Sequence, residues 1–170
     1  DETLDEVIIP DAKYKKAIFL PGISLSKIEK LVVHRYSTAK QVYYCDTGFP
    51  EMLVLDTGES ISKEEVRDIA HMAYADLYLK HFSILNHDYK EVDGVIYSKS
   101  GNIVVACSME LEHVTIPEGV KIIGYNAFKK CKLKSVIFPD SLKQILAEAF
   151  YGCKNLQSVK FGNNIDMVET

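Results

Sequence analysis

Apolar positions along this chain recur in a six-residue figure, apolar-x-x-apolar-x-apolar, at intervals of a little over twenty residues. It is clearest at Leu111/Val114/Ile116, Leu133/Val136/Phe138 and Leu156/Val159/Phe161. Upstream it returns as Leu4/Val7/Ile9, Ile28/Leu31/Val33 and Leu79/Phe82/Ile84, and at Pro50/Leu53/Leu55 only the last two positions fit. First positions fall at 4, 28, 50, 79, 111, 133 and 156, giving steps of 24, 22, 29, 32, 22 and 23. Such figures read as short strands whose spaced apolar residues point inward. One strand with its return segment cannot bury that face alone, so successive coils must stack, with strands about 4.8 Å apart in a parallel sheet.

The repeat extends beyond the strands. Residues 115–131, TIPEGVKIIGYNAFKKC, overlay residues 137–153, IFPDSLKQILAEAFYGC, without gaps at a shift of 22. Six of the 17 positions are identical: Pro117/Pro139, Lys121/Lys143, Ile123/Ile145, Ala127/Ala149, Phe128/Phe150 and Cys131/Cys153. The strand figure and the period are those of a leucine-rich repeat. Each proline sits just past its strand, where a missing N–H costs little and the chain must turn.

Both long steps have visible causes. The step of 32 contains Val92–Tyr97 and Ile103–Cys107 around Ser98–Asn102, two β-rich runs joined by a glycine-containing link. This predicts a β-hairpin that replaces the return segment of one coil. The step of 29 contains Ser62-Lys63-Glu64-Glu65, a capping box, with Ile61 and Val66 placed as a hydrophobic staple. Val66, Ile69, Ala70, Ala73 and Leu77 then follow at helical spacing, predicting a helix over about 63–78. The expected fold is therefore an α/β-type leucine-rich-repeat solenoid. It has a short parallel sheet, one inserted hairpin and one longer helix in the N-terminal half. A single domain, 1–170, would comprise irregular repeats (1–88), the hairpin (89–110) and regular repeats (111–170). The rival organisation is a separate small α/β domain over 1–88 carrying a repeat cap, because the second and third repeats lack the Ala-Phe and Pro marks.

The runs VDGVIYSKSGN, TIPEGVKIIGYNAFKKC and LKSVIFPDSLKQILAEAFYGCKNLQSVKFG carry IPxxV, AFxxC and LxxVxF at this spacing. In these residues, 92–161, the chain resembles the BspA-like leucine-rich-repeat family, also called the Treponema pallidum type. The family is associated with bacterial cell surfaces and with some protists. What the resemblance implies is an extracellular or cell-surface protein that binds host or neighbouring-cell proteins.

Within each figure the x positions should face outward. One column across the sheet is Ile8, Val32, Val54, Ser83, Thr115, Ile137 and Lys160; a second is Glu6, Lys30, Met52, His81, His113, Ser135 and Ser158. The candidate protein-binding residues are Ile8, Val32, Val54, Met52, His81, His113, Thr115 and Ile137. Of these, Ile8, Val32 and Val54 would form an exposed apolar stripe, a common mark of a contact surface. The competing reading is that another part of the chain, such as 36–48, covers the stripe. Ten tyrosines add a further hint, with Tyr43, Tyr44, Tyr89 and Tyr97 in or beside irregular connections.

Composition changes the picture little. Apolar residues make up 47% and charged residues 26%, with a net charge of −4, which argues against a nucleic-acid-binding face. No apolar run reaches the roughly 20 residues that span a bilayer as a helix. The chain opens on Asp1-Glu2-Thr3 without a signal peptide, which reads as a trimmed or mature form.

The five histidines form no H-E-x-x-H, and His81 with His113 in one column is a thin metal site. The four cysteines lack a Cys-x-x-Cys pair. Cys131 and Cys153 stack in register and read as small apolar fillers. No nucleophile elbow or phosphate loop occurs, so no catalytic residue, metal site or cofactor site is expected. The leading expectation is a non-catalytic interaction module, adhesion-like, contacting another protein across the exposed strand face. The alternatives are a structural spacer within a larger repeat protein and an intracellular scaffold.

Overall fold

The computed structural model describes residues 3–9, 24–35, 50–58, 60–75 and 81–169. The chain divides into two compact units, Asp1–His87 and Asp88–Thr170.

The first unit is built on four parallel strands, β1 (Leu4–Ile9), β2 (Ile28–Val33), β3 (Met52–Asp56) and β4 (His81–Leu85), adjacent in that order. Their register is the register of the repeat: Val7 stands opposite Leu31, Leu31 opposite Leu53, and Leu53 opposite Phe82. The strands thus pair along the columns that the apolar figure defines. Burial differs from expectation, however. Leu31, Val32 and Val33 are all buried, and so are Leu53, Val54 and Leu55. A strand buried at consecutive positions is covered on both faces, as parallel strands commonly are.

One α-helix, α1 (Lys63–Ala75), occurs among the described residues, beside a single 3-10 turn at Leu25–Lys27. The capping box forms as expected. Ser62 N–H donates to Glu65 Oε2 at 3.0 Å, and Glu65 N–H donates to Ser62 Oγ at 3.2 Å. Ile61 and Val66 are both buried, as a staple requires. Val66, Ile69 and Ala70 form the inward stripe, and the helix packs against β4. Residues 76–80, the end of the expected helix, lie outside the described set.

The second unit holds two sheets. One is purely parallel, β8 (His113–Thr115), β10 (Ser135–Ile137) and β12 (Ser158–Lys160), with Val114, Val136 and Val159 in register. The other contains β5 (Tyr89–Val92), β6 (Val95–Ser98), β7 (Ile103–Cys107), β9 (Ile122–Ile123), β11 (Gln144–Ile145) and β13 (Met167–Val168). The expected hairpin is β6 and β7, paired antiparallel. It gains a third strand, β5, through an Asp93-Gly94 turn in which both residues have positive φ, the signature of a tight two-residue hairpin. β7 then pairs in parallel with β9, so the meander takes the place of a return segment in the stack.

This second unit is a β-solenoid, and the α/β description fits only the helix of the first unit. The reason is local. Asn126, Lys130, Glu148 and Gly152 all have positive φ, at two equivalent places in consecutive coils. Two left-handed residues four apart leave no room for a return helix. Turns fill the segment instead, and their interior is packed by the repeat's own side chains. Phe128 and Phe150 stack with ring centroids 4.9 Å apart, and Phe138 meets Phe150 edge-on at 5.9 Å. Acidic side chains tie each coil to the next: Glu118 accepts the N–H groups of Asp140 and Ser141, and Asp140 accepts that of Asn163.

Because Phe128 is fully buried and Phe161 is 54% exposed, equivalent truncations should differ sharply. Phe128→Ala is expected to destabilise the unit by about 3–5 kcal/mol, and Phe161→Ala by less than about 1 kcal/mol, measured by urea unfolding. Ser62→Ala removes one half of the capping box and should cost about 1 kcal/mol in the same experiment.

Candidate protein-binding surface

Strand pleating decides which side chains of the second unit meet solvent. In β8, β10 and β12 the middle residue points inward and its neighbours point out. Val114 and Val136 are accordingly buried, whereas His113, Thr115, Ile137, Ser158 and Lys160 are exposed and Ser135 is half-buried. The register sets Thr115, Ile137 and Lys160 side by side, and likewise His113, Ser135 and Ser158. Both outward columns expected for this unit therefore exist as continuous rows. Ile137, 43% exposed, is the apolar centre of the first row.

Polar contacts hold this face in shape. His113 Nδ1 lies 2.8 Å from Ser135 Oγ, across adjacent strands. Beside it run two ion pairs, Lys132 Nζ to Glu110 at 2.7 Å and Lys134 Nζ to Glu112 at 2.8 Å, each joining residues 22 apart. The hydrogen bond and charge of Lys134 hold the Glu112 carboxyl below its ordinary range. All four partners are well exposed, so these pairs set charge pattern and register more than stability. The His113–Ser135 contact has the makings of a base and a nucleophile, but the neighbouring Glu112 carboxylate is engaged by Lys134 rather than orienting the imidazole.

Next to this face lies a pocket of about 510 Å³, lined in part by Lys90, Tyr97, His113, Thr115 and Glu118. It shares His113 and Thr115 with the strand rows, so groove and face form one surface. Its lining mixes a cation, a carboxylate and an imidazole with apolar walls, which suits an inserted polar side chain. Tyr97 is 5% exposed, and burial first, then the nearby Asp93 and Cys107, raises its phenol above the usual value. A second, apolar hollow of about 380 Å³ is lined by Phe138, Leu156, Val159, Phe161 and Val168 on the last coil.

In the first unit the candidate residues fare differently. Ile8 is 54% exposed, as expected, but Val32 and Val54 are buried at 7% and 4%. The apolar stripe is thus not a solvent-facing one, because the face that carries Val32 and Val54 is covered. Residues 36–48, which the competing reading offered as the cover, lie outside the described residues. Met52 is half-buried. His81 takes its place opposite Met52, in a different sheet from His113.

Of the expected interface tyrosines, Tyr89 and Tyr97 are buried packing residues, and Tyr43 and Tyr44 lie outside the described residues. Among the described residues the exposed tyrosines are Tyr125 and Tyr151, which flank the Ala-Phe turns; Lys129 Nζ sits 5.4 Å from the Tyr151 ring centroid. The pocket was also missed, since it depends on the third strand of the meander. The Asp93-Gly94 pair was the sequence signal for that strand. No helix among the described residues is long and apolar enough to cross a membrane.

Comparison with known proteins agrees with the repeat. Residues 99–170 match the model of the BspA type leucine rich repeat region, in six copies. No curated protein matches the chain. Among solved structures, the crystal structure of the pneumococcal vaccine antigen PcpA aligns with a TM-score of 0.47 at 13% identity, covering 82% of this chain and 40% of that one. The chain thus spans less than half the length of that antigen.

The Glu112–Lys134 pair gives a test of this surface. Lys134→Ala should raise the pH at which the Glu112 carboxyl titrates, toward the ordinary value of about 4.3, followed by NMR of the side-chain carbonyl. The sign follows from the lowered folded-state value. Whatever the pair contributes is present above the unfolded pKa and is lost as pH falls through the folded one.

Proposed function

We propose, from a chain whose residues 99–170 are a BspA-type leucine-rich-repeat region, that it is a non-catalytic protein-interaction module. It works at the cell surface or in the secreted state and binds host or neighbouring-cell proteins in an adhesion-like way. The observation that carries this reading is the uncovered strand face of β8, β10 and β12, with exposed Ile137 at its centre and the 510 Å³ pocket beside it. The inner residues of β8 and β10, Val114 and Val136, are buried, so the outward residues beside them are free to vary without disturbing the core. Leucine-rich repeats generally mediate protein interactions through such surfaces, a property of the repeat class rather than of this chain.

The mechanism is contact without chemistry. Ile137 and the Thr115 methyl supply a small apolar centre, and His113, Ser135 and Lys160 surround it with hydrogen-bonding groups. That layout is the apolar-centre, polar-rim arrangement of specific interfaces. The pocket would accept a partner's side chain between Lys90 and Glu118. In the first unit, Ile8, Met52 and His81 are proposed as contact residues of that unit's own strands. Pairing of the first unit in repeat register supports reading it as irregular repeats of the same kind.

The test is a bead pull-down against extracellular-matrix and serum proteins, comparing the parent chain with an Ile137→Asp/Thr115→Arg variant. Circular dichroism checks that the variant remains folded. Capture by the parent, weakened at least tenfold in the folded variant, is the expected outcome. Equal capture by both would move the contact away from this face. No capture by either at micromolar concentration would favour the spacer reading, in which the repeats only display another part of a larger protein.

A further inference from the structure

Three cysteines of the second unit fall on consecutive levels of the stack. Cys107 ends β7, and Cys131 and Cys153 close the two Ala-Phe turns. The level spacing of about 4.8 Å lies inside the Cα window of roughly 4.4–6.8 Å that a disulfide requires. Only one pair is brought sulfur to sulfur in the hydrogen-bonding pattern. Cys107 Sγ and Cys131 Sγ are 2.8 Å apart, and their residues are 0% and 2% exposed. Cys153 Sγ instead donates to the Phe128 carbonyl oxygen at 2.9 Å, and it is half-buried. No group of three or more ligating side chains suited to a metal occurs among the described residues.

We propose that Cys107 and Cys131 close a disulfide under oxidising conditions, stapling the β5–β7 meander to the first regular coil, while Cys153 stays a thiol. A low-molecular-weight disulfide is the oxidant. One protein thiolate attacks it and expels one small thiol. The second protein thiolate then attacks the mixed disulfide and expels the other, so two protein thiols and one small disulfide give one protein disulfide and two small thiols. Burial raises the Cys107 thiol well above its ordinary pKa, with the Cys131 contact adding to the effect, so Cys107 is a poor nucleophile in the folded state. Exchange therefore belongs to folding, before the meander closes over the coil. Cys153, pushed up to about 11 mainly by burial, is likewise a sluggish thiol in the folded state.

The position gives the bond a purpose. The meander occupies the place of a return segment, yet its strands lack the Ala-Phe turn that locks a regular coil to its neighbour. A bond between residues 107 and 131 joins that irregular element to the array at a fully buried point. It also closes a loop of 24 residues, long enough to remove substantial freedom from the unfolded chain.

The test uses the full chain, refolded with a mixture of reduced and oxidised glutathione, alkylated, and digested without reduction for mass spectrometry. The expected result is a linked pair of peptides carrying Cys107 and Cys131, lighter by two hydrogens than the separate thiols, with Cys153 alkylated. Reductant should lower the melting temperature of the oxidised protein by about 10 °C. Cys153→Ser should keep that shift and Cys131→Ser should abolish it. Complete alkylation of all cysteines after denaturation would overturn the proposal. So would a dominant link from Cys131 to Cys153 or to Cys45.

Discussion

Every strand in this protein depends on the strand beside it. A short strand such as Val136 with its two neighbours exposes a full row of backbone donors and acceptors, and those groups are satisfied only by β8 on one side and β12 on the other. The same stacking removes water from the inward column. Val136 is 1% exposed between its two neighbours, whereas Val159, on the last level, is 37% exposed. Backbone pairing and apolar burial are thus one constraint, and it is imposed once per coil. The repeats of this chain follow it: the outward row changes from Thr115 to Ile137 to Lys160, whereas the inward column keeps valine at 114, 136 and 159.

That constraint also separates what the sequence could tell from what it could not. Inward positions and register were legible because each coil repeats the same demand, and the strands of both units pair in the columns so defined. The capping box at Ser62 and the β6–β7 hairpin were legible because they are local chemistry. Coverage of a sheet face is a different matter, since it is decided by distant segments. The x positions of the figure predict Val32 and Val54 as outward and exposed, yet they are buried. A signal was present: Leu31-Val32-Val33 and Leu53-Val54-Leu55 are unbroken apolar runs, the mark of a strand covered on both sides. Val136, by contrast, has Ser135 on one flank and only Ile137 on the other.

The candidate surface divides along the same line. The outward exposure of His113, Thr115 and Ile137 was legible because alternation within a strand is local. The pocket beside them was not, because it depends on β5, which forms through the Asp93-Gly94 turn. The sulfur contact was not legible in the repeat for a related reason. Repeat register pairs Cys131 with Cys153, but the meander carries Cys107 to the level below and that thiol makes the contact.

Stacking in repeat register is the premise on which burial, the outward rows and the sulfur contact all rest. It is tested most directly by nuclear Overhauser contacts between backbone protons of neighbouring strands in the isotopically labelled chain. The account predicts contacts linking Val114 to Val136 and Val136 to Val159 in parallel register. Contacts displaced by one residue, such as Val114 with the backbone pairing position of Ile137, or none between these strands, would contradict it.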